Sequence, residues 1–207
     1  MAYFITFEGI EGSGKSTQSR RLKNRLSRRN IPVLLTHEPG VTSLGKRVER
    51  LLKWTQNVAI SPVAELLLFN VSRAQLVDEV IRPSLTGGIN VICDRFADST
   101  TAYQGYARGI ALDIVSQANA IGTRGLKPDL TILLDVPVDN GMSRKENDKH
   151  DRFEAESLDF HRRVREGYLA LAKAEPERWV IIDGGKSRDE VSRQVWQAVS
   201  RLSGLIK

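Results

Sequence analysis

The chain has 207 residues, enough for one hydrophobic core, and its 41% hydrophobic and 27% charged content excludes a mainly disordered polymer. A formal net charge of +6 suits anionic partners without choosing among nucleic acid, anionic lipid and nucleotides. A lone cysteine, Cys93, excludes an internal disulfide, and no apolar run is long enough to span a bilayer, so a soluble cytoplasmic protein is expected.

Residues 3–7 read as a buried strand of β-branched and aromatic residues. A glycine-rich stretch, Gly9 to Gly14, follows, and then a helix over 15–28 with Leu22 and Leu26 on one face. This helix carries the densest basic run, Arg20 to Arg29. Arg21, Arg25 and Arg28 share a face, and with no aromatic residues between them they read as a solvated surface, not a nucleic-acid platform. A second strand covers 32–35, and Glu38-Pro39-Gly40 is turn chemistry. A long helix runs over 61–85, with Pro62 in its first turn and Pro83 and Gly87-Gly88 marking its end. A third strand, 90–93, ends on Asp94, and Cys93 inside it reads as a core residue. A helix is expected over 109–121, and a fourth strand over 130–134 ends on Asp135. The stretch 143–151 is almost wholly polar and reads as an insertion on the domain. A helix over 158–174, a strand over 179–182 and a helix over 188–202 complete the chain. Strands alternating with helices predict one α/β domain over 1–207, of three layers α/β/α, around a five-stranded parallel sheet with a short lid near 143–156.

Gly9-Ile10-Glu11-Gly12-Ser13-Gly14-Lys15-Ser16, followed by Thr17, fits the phosphate-cradling pattern G-x-x-x-x-G-K-[ST], in the required context of strand before and helix after. Glycines let successive backbone N–H groups turn inward on phosphate oxygens, and the helix N-terminus adds its own. Lys15 is expected on the β- and γ-phosphates of ATP and Ser16 on Mg²⁺. Asp94-Arg95-Phe96 stands where a parallel strand ends, the usual place for ligands in such sheets. Asp94 suits Mg²⁺, directly or through water, and Arg95 a bidentate grip on phosphate. A guanine-nucleotide switch usually carries an Asn-Lys-x-Asp motif. No Asn-Lys pair occurs here, which favours a small-molecule kinase.

Further segments sharpen this reading: Leu68-Phe69-Asn70-Val71-Ser72-Arg73-Ala74-Gln75, Ala102-Tyr103-Gln104-Gly105 and Asp151-Arg152-Phe153-Glu154. With the cradle, Glu38-Pro39-Gly40 and Asp94-Arg95-Phe96, their order and spacing resemble the bacterial thymidylate kinase family over nearly the whole chain. The resemblance implies a homodimer built on long helices, and transfer of a phosphoryl group from ATP to dTMP in dTTP biosynthesis. No nucleic-acid or membrane partner is implied. It also implies stacking of Phe69 on thymine, Arg73 on a base carbonyl, and Arg95 on the 5′-phosphate. Glu11 belongs near the 3′-hydroxyl, Tyr103 where a 2′-hydroxyl would sit, and Thr100 and Gln104 near the base. Phe69 and Arg73 are four residues apart on one helix, so both can face one pocket. The family usually has Arg before Glu38 and Gly after Gly40, where this chain has His37 and Val41, beside the expected acceptor-site residues Glu38 and Pro39. The cradle holds no basic residue before Lys15, so the lid is expected to supply a cation to the transferring group, Arg144 and Arg152 ahead of Lys145 and Lys149.

Overall fold

The computed structural model describes residues 2–54, 59–144 and 151–205. The elements are β1 (Phe4–Glu8), α1 (Lys15–Ser27), β2 (Val33–His37), α2 (Ser43–Trp54) and α3 (Pro62–Leu76). Helix α3 continues through a π-helical turn, Val77–Ile81, into α4 (Arg82–Thr86). Then come β3 (Asn90–Asp94), α5 (Ala97–Thr100) with its π-helical extension Thr101–Ala107, α6 (Leu112–Thr123) and β4 (Leu130–Asp135). Helices α7 (Val138–Ser143) and α8 (Leu158–Ala174), β5 (Trp179–Asp183) and α9 (Arg188–Val199) follow.

All strand pairs are parallel, in the order β2-β3-β1-β4-β5. The chain therefore leaves β1 toward β2 on one side of the sheet and reaches β4 on the other. The carboxyl ends of the adjacent β1 and β3 open at this reversal, where such sheets collect ligands. The period-2 alternation of the strands divides the core. Ile5 and Phe7 of β1, with Ile132 and Leu134 of β4, pack with Leu22 and Leu26 of α1 and Val191 and Val195 of α9. On the other face, Phe4 packs with Cys93 and Phe96, and Leu133 with Phe160, Val164 and Tyr168. Glu8 shares the Phe4 face by the same alternation, so it points under α5 and α8.

The expected strands all form, within a residue or two at their ends. Three helical stretches were not anticipated: α2, α5 with its π-helical extension, and α7. The segment Ala97–Ala107 carries Ser99, Thr100, Thr101 and Gly105, poor helix formers, and its conformation rests on packing against α8. The helix expected over 109–121 begins instead at Leu112. The basic face of α1 is less solvated than expected. Arg25 and Arg29 stack over the Trp196 ring at 3.9 and 5.0 Å, and Arg21 pairs with Asp189, which clamps α1 to α9.

Candidate functional site

The loop between β1 and α1 curls back over the sheet edge. Gly12 and Gly14 take φ of 69° and 94°, a left-handed region that glycine enters without cost. Gly12 is doubly constrained, since a Cβ there would lie 1.9 Å from the Gly141 carbonyl of α7. Lys15 is the first residue of α1 and is buried, its Nζ donating to the carbonyls of Gly9 (3.0 Å) and Ile10 (2.8 Å). Burial, and then the Arg95 charge, lower its pKa to about 8. Ser16 Oγ donates to Asp94 Oδ2 at 2.5 Å, so the hydroxyl and carboxylate expected on Mg²⁺ stand together. No cluster of three or more His, Cys, Asp or Glu side chains able to hold a metal occurs among the described residues. One hydroxyl and one carboxylate still fit Mg²⁺, which keeps several waters and takes its other oxygens from nucleotide phosphates.

Arg95 follows β3 with φ 71°, a left-handed conformation uncommon outside glycine, which turns its side chain back over the cradle. Its guanidinium donates to Gly9 O (3.1 Å), Ser99 Oγ (3.1 Å), Tyr168 OH (2.9 Å), Tyr103 OH (3.1 Å) and Glu11 Oε1 (2.5 Å). These acceptors lie on the β1–α1 loop, on α5 with its extension and on α8, so the cation is fixed in place. The neighbouring negative groups, Glu11 foremost, hold it protonated against burial. Burial, and then Asp98, push the Glu8 carboxyl up to about 7. Burial also raises the Tyr103 phenol, which stays a neutral donor and acceptor.

These groups open into one cavity of about 1240 Å³, more than one nucleotide needs. Its wall includes Glu11, Gly12, Ser13, Gly14, Lys15, Ser16, Thr17, Asp94, Arg95 and Arg144 at the cradle. It also includes Glu38, Pro39, Phe69, Arg73, Thr100, Tyr103, Gln104 and Phe153. Phe69 lies 5.6 Å from the Phe153 ring, centroid to centroid. Gln104 donates through Nε2 to Glu65 at 2.7 Å, while its Oε1 has no hydrogen-bond partner among the described residues.

Several side chains depart from expectation. Gly9 and Ile10 do not line the cavity; Ile10 packs into the core, and both serve through their carbonyls. Arg73 lines the cavity but is 1% exposed, and its guanidinium is already held by Glu38, Asn70, Asn119, Phe96 O and Thr100. A base carbonyl would have to share or displace one of these. Arg152 does not reach the cradle. It donates to Leu52 O at 2.9 Å and Glu65 Oε2 at 2.6 Å, outside the cavity, because the buried Glu65 captures it. Arg144 does reach the cradle, donating to Gly12 O (3.1 Å) and Gly184 O (3.2 Å). Lys145 and Lys149 lie outside the described residues. His37 is exposed, while Val41 packs on the Phe4, Leu76 and Phe96 cluster.

Sequence reasoning missed Glu8, Ser99 and Tyr168 behind Arg95, and Gly184 and Arg188 on the cradle's far side. Glu8 did carry a signal, an acid ending an apolar strand; Tyr168 looked like any apolar-face residue of a helix.

A glycine cradle on a helix N-terminus, with a buried lysine, a Ser–Asp pair and an oriented arginine across one cavity, defines a nucleotide-dependent phosphotransferase of the P-loop class. The family model described as "Thymidylate kinase" matches residues 7–195. A thymidylate kinase from Dehalococcoides mccartyi is 50% identical, over 98% of both chains, and one from Geotalea daltonii is 47% identical, over 99% of this chain and all of its own. Among solved structures, thymidylate kinase from Ehrlichia chaffeensis superposes with a TM-score of 0.77 at 37% identity, covering 96% of this chain and 98% of that one. The chain belongs to the thymidylate kinase family.

Proposed function

We infer that this cavity transfers the γ-phosphoryl group of ATP to dTMP, giving ADP and dTDP. The observation that carries the reading is that Arg95 and the Lys15–Ser16 cradle converge from separate elements on one cavity of about 1240 Å³. ATP belongs on the cradle, from Gly9 to Thr17, with Arg144 and the β5–α9 turn at Gly184 on its outer side. The acceptor belongs beside Phe69, with Arg95 on its phosphate and Tyr103 beside its sugar. The free Oε1 of Gln104 suits the N3–H of a pyrimidine with two carbonyls, such as thymine.

The attacking oxygen belongs to a phosphate monoester with a second pKa of about 6, so it is mostly ionised at neutral pH and no general base is required. The task left to the protein is to bring two polyanions into line and to neutralise charge on the transferring group. Lys15, released from the Gly9 and Ile10 carbonyls, can turn to the β- and γ-phosphates, whose charge raises its pKa again and keeps it a cation. Arg95 keeps Nη1 on Gly9 O, Ser99 and Tyr168, and its Nη2 meets the acceptor phosphate by sharing or exchanging the contacts to Glu11 and Tyr103. Ser16 and Asp94 would hold Mg²⁺, which would neutralise charge on the phosphates.

A homodimer accounts for a surface that a monomer leaves bare. Leu51 and Trp54 of α2, Val63, Leu67 and Val71 of α3, and Ile114 and Ile121 of α6 are large apolar side chains exposed on helices that pack side by side. No described helix is long and apolar enough to cross a membrane, and a cytoplasmic location fits a single cysteine buried as a thiol. The test is coupled ADP release from ATP across a panel of nucleoside monophosphates. Turnover on dTMP well above that on CMP and UMP is expected. ATP binding with no monophosphate-dependent ADP release would overturn the reading in favour of a nucleotide-gated binding module.

A further inference from the structure

Arg95 is held by hydroxyls whose own protons are directed elsewhere. Glu8 is fully buried at the end of β1. Its Oε1 accepts from Phe96 N at 2.8 Å, and its Oε2 faces Ser99 Oγ at 2.6 Å and Tyr168 OH at 3.0 Å. Those two hydroxyls are the ones that meet Arg95 Nη1, at 3.1 and 2.9 Å, and they lie 2.7 Å from each other. A hydroxyl has one proton to give. An ionised carboxylate, the form Glu8 takes above about pH 7, only accepts, so it draws the Ser99 and Tyr168 protons toward itself and leaves their lone pairs facing the guanidinium. Without a carboxylate behind them, either hydroxyl could turn its proton toward Arg95, placing donor against donor.

We propose that Glu8 is a positioning residue for the acceptor phosphate: through Ser99 and Tyr168 it sets the direction of the hydrogen bonds that hold Arg95 in place. Glu8 touches neither substrate, since it lies behind Arg95 and does not line the cavity. The proposal rests on the reading of Arg95 as the acceptor-phosphate ligand.

Glu8→Gln tests it with little change of shape. The amide oxygen must stay on Phe96 N, so the NH₂ group falls where Oε2 was and donates to Ser99 and Tyr168, reversing the polarity. Calorimetric titration of the full chain at about pH 8, where Glu8 is ionised, should then show dTMP binding weakened about tenfold, with thymidine, which lacks the phosphate, changed less than about twofold. The KM for ATP should stay within about twofold, because the cradle is untouched. Tyr168→Phe, a milder change that removes one relay hydroxyl, should lose dTMP affinity in the same selective way. Combined with Glu8→Gln it should add little, because the two act through one relay. Equal losses for dTMP and thymidine would mean general disturbance and overturn the proposal, as would additive losses or unchanged dTMP binding in both variants. If wild type itself bound dTMP no better than thymidine, the reading of Arg95 would fall and the proposal with it.

Discussion

Replacing Glu8 with glutamine also changes how stability depends on pH, and the size follows from the structure. Glu8 is surrounded by Asp98 on α5, Tyr168 on α8 and Arg95 after β3, and burial, the largest effect, lifts its pKa from 4.5 to about 7. Below the lower value the carboxyl is protonated in both folded and unfolded chains. Between the two values the unfolded chain has released its proton while the folded chain retains it. The folded state then binds more protons, so stability falls as pH rises and levels off above about 7. Each pKa unit is worth about 1.36 kcal/mol, so the full loss is about 3 kcal/mol, most of it between about pH 5 and about pH 8. Glutamine does not titrate. Urea unfolding of wild type and Glu8→Gln at those two pH values should therefore show the difference between them shift by about 2–3 kcal/mol in favour of the variant at the higher pH. Titrating groups that do not interact with Glu8 cancel in the difference. A gap unchanged between the two pH values would mean that Glu8 ionises normally in the fold, and the argument from burial would be wrong.

Arg152→Ala should lower stability by about 1–2 kcal/mol with kcat little changed, because Glu65 loses one partner and keeps Arg108 and Gln104. A fall in kcat of about a thousandfold without loss of stability would return Arg152 to the phosphates as a lid cation. Arg144→Ala, an exposed change beside Gly12 and Gly184, should instead raise the KM for ATP or lower kcat, with stability within about 0.5 kcal/mol of wild type. Tyr103→Ala should narrow the deoxy-over-ribo ratio in kcat/KM, whereas an unchanged ratio would make the ring a packing residue only. Leu67→Asp, at 54% exposure on the bare face of α3, should shift sedimentation from dimer to monomer; a wild-type chain already monomeric at micromolar concentration would remove the basis for the dimer.

The parallel α/β architecture and the cradle were legible in the sequence because both are local. Strands β1, β3 and β4 are buried on both faces and read as continuous apolar runs, and the cradle is one unbroken segment whose glycines and lysine act through adjacent backbone. Asp94 and Arg95 were visible because they end a strand, a place defined by chain order. Helices α5 and α7 were not visible, since Ser99 to Thr101 and Gly141 argue against helix and only tertiary packing overrides them. The partners of a charge were likewise beyond sequence reach. Arg152 follows the polar lid stretch in the chain and was expected on the phosphates, yet it turns away because Glu65, 87 positions earlier, is buried beneath it. Glu8 and Tyr168 are 160 positions apart, and neither marks the other in the chain. Propensity, periodicity and backbone chemistry along the chain were enough to mark the glycine cradle and the five strands. The tertiary structure decided which cations face the cavity and which are captured in the interior, because a buried carboxylate takes whichever donors the fold brings within hydrogen-bonding distance.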